Sequence, residues 1–222
     1  MTSKPAAKPK RGKGAGRPRG SNREATLARI LPAARHLFAS NGYTQTTFKE
    51  VGKAVGLSHA ALYSYFPSKA ELYLATTEHA QSILRPLYLA AIEQSDSFKE
   101  RMAQILLDSA RAHDEDSSIT GFLATIPIEI QRHPEIAKLL LGRQNSTFEL
   151  LASVFEEAQK NGEIRSMASP EDLVIAIMGA ATGIALLQYG MQRSSLVDSI
   201  KVLIELIEAP LFQARNCVGT DR

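Results

Sequence analysis

Residues 44–72 read TQTTFKEVGKAVGLSHAALYSYFPSKAEL. Three helix starts follow one another closely in this stretch. Thr47 with Glu50 forms a capping box, in which hydroxyl and carboxylate each satisfy a backbone N–H that the helix leaves free. Phe48, Val51 and Val55 then share one face, and Gly56 ends the helix. Ser58 caps a short second helix with Leu62 and Phe66 turned inward, and Pro67 stops it. Ser68 with Glu71 makes another capping box and opens a third helix. Two helices joined by a few residues around a glycine form the helix-turn-helix pattern. The outward positions of the short helix are His59, Ala60, Ala61, Tyr63 and Ser64. Small and hydrogen-bonding groups of this kind suit a surface pressed into the major groove of DNA.

Upstream, Ser21 with Glu24 is expected to open a helix whose inner face is Leu27, Ile30, Leu31, Ala34, Leu37 and Phe38, ending at Gly42. Pro32 removes a backbone donor and crowds the preceding turn. Two readings stay open: a kink at Pro32, or a separate, looser turn before it. Residues 1–20 are rich in Lys, Arg, Gly, Pro and Ala with no large apolar side chain beyond Met1, and they read as a disordered basic arm. The net charge of +3 hides an asymmetry. Residues 1–23 hold eight bases and no acid, whereas residues 71–222 hold 13 bases and 21 acids. The first end suits a polyanion and the second repels it, so double-stranded DNA is the expected partner of the first third.

Downstream, helical periodicity continues almost to the end. One helix runs to about Gln94, with Pro86 as a bend. Ser97 with Glu100 caps the next, which carries Met102, Ile105 and Leu106. A shorter one spans Ile119 to Gln131, interrupted or kinked near Pro127. Pro134 suits the first position of a long helix ending at Gly162. Ser169 caps another that begins with Pro170, and the last runs from about Ser194 past Leu206. The stretch Leu173 to Leu187 is apolar on nearly all sides. It is short for a bilayer, so a helix covered all round is expected. Gly179 and Gly183, four apart, let another helix approach. Leu196, Ile200, Leu203, Ile207 and Leu211 follow the spacing of a packing seam.

Several chemistries lack their residues. The chain has a single cysteine, Cys217, so no internal disulfide forms. His36, His59, His79, His113 and His133 show no metal-ligand spacing. No Gly-rich phosphate loop and no nucleophile elbow is present. Neither a metal, a cofactor nor a catalytic set is therefore expected. The basic N-terminus is not followed by an apolar run, so no secretory signal is read and a cytoplasmic protein is expected.

The stretch from Thr44 to Leu72 strongly resembles the TetR family of regulators. The resemblance rests on Thr47-Phe48, Val51-Gly52, Val55-Gly56, Ser58, Ala60, Leu62-Tyr63, Tyr65, Phe66 and Ser68-Lys69, and upstream on Phe38 and Gly42. Gly52 departs from the family's usual Ala, Ala60 stands where Gly is frequent, and Pro32 is atypical. The resemblance covers about the first third of the chain. It implies an all-α fold of about nine helices: the arm over 1–20, a three-helix DNA-binding domain over 21–70, and a ligand-binding and dimerisation domain over 71–215. It also implies a repressor that leaves its operator when a small molecule enters the body, the fourth helix shifts and two reading heads change their separation.

Residue roles follow from the same resemblance. Tyr63, Tyr65 and Lys69 are expected on DNA phosphates. Thr47 and Ser58 cap their helices and are candidates for the same contact. His59, Ala61 and, more weakly, Ser64 are candidates to read base edges, with Ala60 beside them. Arg17 and Arg19, in Gly16-Arg17-Pro18-Arg19, resemble part of a minor-groove hook; a solvated basic tail is the other reading. Gly179, Gly183, Leu196, Ile200, Leu203 and Ile207 are expected in a homodimer interface. Two heads would then read the half-sites of a palindromic operator. Tyr88, Met102, Phe122, Ile126 and Phe148 are candidates for a pocket with Arg111, His113 or Gln131 as polar anchors, which suggests an apolar effector. The competing function is a non-specific DNA-coating protein driven by the arm.

Overall fold

A computed structural model describes residues 19–141, 146–191 and 195–208. Among these the chain is all-α, with ten helices and no strand. Helix α1 is Arg19–Gln45, α2 Phe48–Val55, α3 His59–Tyr63, α4 Lys69–Gln94 and α5 Phe98–Glu115. Then come α6 Ser118–Arg132, α7 Pro134–Leu140, α8 Ser146–Lys160, α9 Pro170–Met191 and α10 Leu196–Glu208. Arg17, Leu211 and Cys217 lie outside the described residues.

The backbone is already helical at Arg19, so Ser21 sits inside α1 and its box with Glu24 does not open the helix. Pro32 stands within α1, where the only residue with non-helical dihedrals is Gly42. Gly42 has φ 72° and ψ 175°, a conformation almost confined to glycine. It turns the chain so that Tyr43 and Thr46 face inward. The capping box of α2 forms as expected: Glu50 N donates to Thr47 Oγ1 at 3.2 Å and Thr47 N to Glu50 Oε2 at 2.8 Å. Gly52 is explained by space. A Cβ there would stand 2.6 Å from the carbonyl oxygen of Leu57, whose N–H closes the end of α2 on Gly52 O.

Helix α3 is shorter than expected, ending at Tyr63 rather than at Pro67. Phe66 still turns inward because its N–H bonds Leu62 O at 3.0 Å, prolonging the turn past the helix. Ser68 caps α4 through Glu71 N at 3.2 Å. At α5 the expected cap changes hands: Ser97 makes no side-chain cap bond, and Ser95 Oγ instead donates to Glu100 and accepts from Ser97 N. Ser169 caps α9 through Asp172 N, with Pro170 first in the helix.

The long helix from Pro134 to Gly162 is not one helix. It divides into α7 and α8, and exposed Leu141 caps the first. The two pieces serve different cores. Ile136 of α7 joins a first core with Ile30, Phe38, Leu62, Tyr73 and Phe122, gathered from α1, α3, α4 and α6. Leu151 and Phe155 of α8 join a second with Tyr88, Ile105 and Val174. A third core packs Leu106 and Ala110 of α5 against Ala185, Leu196 and Ile200. The first core crosses the expected boundary at residue 70, because Tyr73 and Phe122 lie edge-on and stacked, respectively, against Phe38.

Helix α9 departs most from expectation. It is long and apolar enough to cross a membrane by length and composition. Within one chain it is not covered all round: Val174 and Ala185 are buried, while Ile175 is 60% and Leu187 63% exposed. Only one stripe of the helix meets its own chain's core.

Candidate DNA-binding head and effector cavity

The reading surface is built on α2 and α3. Leu62 is fully buried and Phe66 nearly so, which pins α3 to the first core. His59, Ala60, Tyr63 and Ser64 are left exposed, and Ala61 is half-buried. Tyr63, 51% exposed, lays its ring 4.7 Å from Phe48 and 5.0 Å from His59, so its hydroxyl is held outward by packing. Ser58 Oγ accepts from Ala61 N at 3.1 Å, and Ser64 Oγ donates to Ala61 O at 2.6 Å. The hydroxyl proton of Ser64 is thus engaged, and its oxygen remains available as an acceptor. Thr47 is exposed with its hydroxyl engaged by Glu50. Tyr65 is half-buried, with the Arg23 guanidinium 4.9 Å over its ring. Arg23, at the start of α1, and exposed Lys49 and Lys53 of α2 add positive charge beside the head. The charge balance of the first third had that signal, but spacing alone did not single these residues out.

Lys69 is held against the head's own backbone. Its Nζ donates to Tyr43 O at 2.7 Å and Thr44 O at 3.1 Å and lies 4.3 Å over the Tyr43 ring. It satisfies carbonyls that the break at Gly42 leaves free. Burial lowers its pKa, against the pull of Glu135 and Glu129.

Two polar joints tie this head to the rest of the chain. In the first, Arg35 of α1, 3% exposed, pairs with Asp116 at 2.5 Å, donates to Ser118 Oγ at 2.9 Å and approaches His79 Nδ1 at 3.5 Å. Burial raises the Asp116 pKa, but the Ser118 hydrogen bonds and the Arg35 charge outweigh it and hold the carboxyl below its ordinary value. In the second joint, Glu129 of α6 accepts from Tyr43 N at 3.2 Å and meets His133 Nε2 at 3.2 Å. Burial, with Glu135 and Glu129 adding to it, pushes the Tyr43 pKa up to about 12.

Behind the head a cavity of about 330 Å³ lies among α4, α5, α6, α8, α9 and α10. Of the expected lining, Tyr88, Ile126 and Phe148 face it. Met102 and Phe122 do not: Met102 belongs to the second core, and Phe122 fills the first against Phe38 and Tyr73. Arg111, His113 and Gln131 do not line it either. Arg111 pairs with Asp108 one turn away, and buried His113 has its Nδ1 unpartnered. Residues that spacing missed complete the wall: Gln81 and Leu84 of α4, Ser109 of α5, Thr120, Leu123 and Pro127 of α6, and Met178 of α9. The expected interface also divides. Leu196 and Ile200 turn into their own chain against Leu106 and Ala110 and reach the cavity wall. Leu203 is half-buried in the third core. Gly179, Gly183 and Ile207 are exposed, along with Val202 and Leu206.

Residues 30–76 match the family model described as bacterial regulatory proteins, tetR family. Residues 30–76 therefore form a TetR-type DNA-binding head. The chain is similar to the HTH-type transcriptional regulator UidR of Escherichia coli K12. That relative is 27% identical over 139 residues, which are 63% of this chain and 69% of UidR. The fold as a whole is similar to that of FadR from Bacillus subtilis, solved in complex with stearoyl-CoA. The TM-score is 0.67 at 19% identity, covering 83% of this chain and 99% of that one. FadR from Thermus thermophilus, solved with lauroyl-CoA, matches with a TM-score of 0.58 at 20% identity over 87% and 99%.

Proposed function

We propose that this chain is a cytoplasmic, homodimeric TetR-family repressor. In this reading it holds a two-fold operator with one α3 from each subunit and leaves it when a small molecule fills the cavity. The observation that carries the reading is the double duty of α6. One side of it, with Thr120, Leu123, Ala124 and Pro127, lines the cavity. Its other side grips α1 through Phe122, Ser118 and Glu129. Helix α4 does the same, with Leu84 and Tyr88 on the cavity and Leu72 and Tyr73 in the head's core. A ligand that repositions either helix must also move the head, because a close-packed core transmits displacement rather than absorbing it. The expectation that the fourth helix alone shifts is therefore widened to α4 and α6 together.

The homodimer rests on the exposed apolar face of α9 and α10, where Gly179 and Gly183 have nothing within 4 Å of a built Cβ. A second copy of that face would cover it, since contiguous apolar patches of this kind mark interfaces. The acyl-CoA complexes of the two FadR proteins support an effector with an apolar body. On DNA, Tyr63 and Tyr65 position the head while His59, Ala60, Ala61 and Ser64 meet base edges. Arg17 of the arm and Arg19, the first residue of α1, add attraction.

Selecting fragments of the source genome with the full-length protein tests this reading. The expected result is enrichment of a discrete sequence with two-fold symmetric halves. Equal recovery of all fragments would establish the coating function instead.

A further inference from the structure

The chemistry of the cavity wall restricts what the effector can be. None of its described lining residues is charged. The polar ones are Gln81, Tyr88, Ser109, Thr120, Thr147 and Thr182, all neutral groups, and Tyr88 stays so because burial raises its pKa, with the Ser109 hydrogen bond opposing. The remaining wall is aliphatic, with the Phe148 ring. An ionised carboxylate placed here would lose its hydration and find no counter-ion, a heavy penalty in a low-dielectric site. An uncharged chain meets no such cost.

The Tyr88 hydroxyl is already met by Ser109 Oγ at 3.0 Å. We propose, resting on the effector reading above, that the ligand is an alkyl or acyl chain whose buried polar function is uncharged. An alcohol, ester, lactone or thioester qualifies. An ionised carboxylate does not enter the cavity, and a thioester qualifies where its carrier's charges stay outside it.

Calorimetric titration of the full-length protein with 1-dodecanol, methyl dodecanoate, dodecanoate and dodecanoyl-coenzyme A tests this, with operator release read separately. The alcohol and the ester should bind at least roughly tenfold more tightly than dodecanoate, a difference of about 1.4 kcal/mol. Affinity for dodecanoate should rise roughly tenfold for each unit by which the pH is lowered above the acid's own pKa, since only the neutral form enters. Tighter binding of the coenzyme A thioester than of the methyl ester identifies a carrier-bound chain as the source. The reverse order identifies a free neutral lipid, and both orders agree with the proposal. Dodecanoate binding as tightly as dodecanol with no dependence on pH would overturn the proposal, and so would failure of every chain to bind. Neutral chains that bind without releasing operator leave the ligand class standing and defeat the repressor reading. Release by dodecanoate with pH-independent affinity does the opposite.

Discussion

At the residue scale, Tyr63 and Lys69 show how packing sorts similar candidates. Both stand where the family resemblance expects phosphate contacts. The Tyr63 ring is braced by Phe48 and His59 on an exposed residue, whereas two of the three Lys69 ammonium N–H groups are held by Tyr43 and Thr44 carbonyls. Tyr63→Phe keeps the braced ring and removes only the hydroxyl. It should weaken operator binding by several-fold to tenfold, about 1 kcal/mol for one lost phosphate hydrogen bond, while the thermal midpoint stays that of wild type. Equal operator affinity in a fluorescence anisotropy titration would refute the assignment. A second residue-scale expectation concerns acid. Burial lowers the pKa of His79, with Arg35 adding to it, and burial lowers that of His113 against Asp114 and Asp116. The unfolded chain takes these protons near pH 6.5, before the folded one does. The stability they contribute is therefore complete above about pH 6.5 and is lost as pH falls through the lower folded values. Asp116, held below its ordinary 3.8, adds a further loss only below that range. The urea midpoint should fall between about pH 7 and pH 5, and a His79→Gln, His113→Gln double variant should flatten the fall. An unchanged wild-type midpoint over that interval would contradict it.

At the element scale, the joint between α6 and α9 is set by one glycine. A Cβ on Gly121 would stand 2.7 Å from the Tyr189 ring, so any side chain there must push α9 or its tyrosine away from the cavity wall. Gly121→Ala should cost about 1–3 kcal/mol as an overpacked site. Adding Tyr189→Leu should restore part of that loss, and denaturant unfolding of the two single variants and the double variant measures the coupling. Strict additivity would show that the two residues do not meet. The same elements show what the sequence could and could not convey. Caps are local chemistry, and Thr47, Ser58, Ser68 and Ser169 could be read directly because three or four residues carry the whole signal. The single helix expected from Pro134 to Gly162 failed because periodicity marks an apolar face without saying which core receives it. Ile136 faces one core and Phe155 another. Phe122 was placed in the pocket for a related reason: its neighbours Phe38 and Tyr73 lie far away in sequence. Glu129 and Arg35 carry no local pattern at all, since Tyr43 and Asp116, their partners, are 86 and 81 residues distant.

At the scale of the whole molecule, the chain has two faces that need something outside it. The head exposes a reading helix of five residues, too few to specify a long site alone. The far side exposes α9 and α10, with Ile175, Leu187, Val202 and Ile207 all more than half exposed. In the proposed dimer a second copy answers both, covering the apolar face and supplying the other reading helix. The cavity lies between these faces, walled by α4 and α6, which also hold the head, and by α9, which also forms the apolar face. A ligand there can bias the separation of two heads only if the heads are joined through that face. The most direct measurement is nuclease footprinting of the wild-type protein and of Leu187→Glu on the selected operator, with sedimentation of each free in solution. Wild type is expected to be a dimer protecting one two-fold symmetric site, and the variant a monomer that has lost the discrete footprint. A monomeric variant protecting the full site with wild-type affinity, or wild-type protection spread evenly along the DNA, would contradict this expectation.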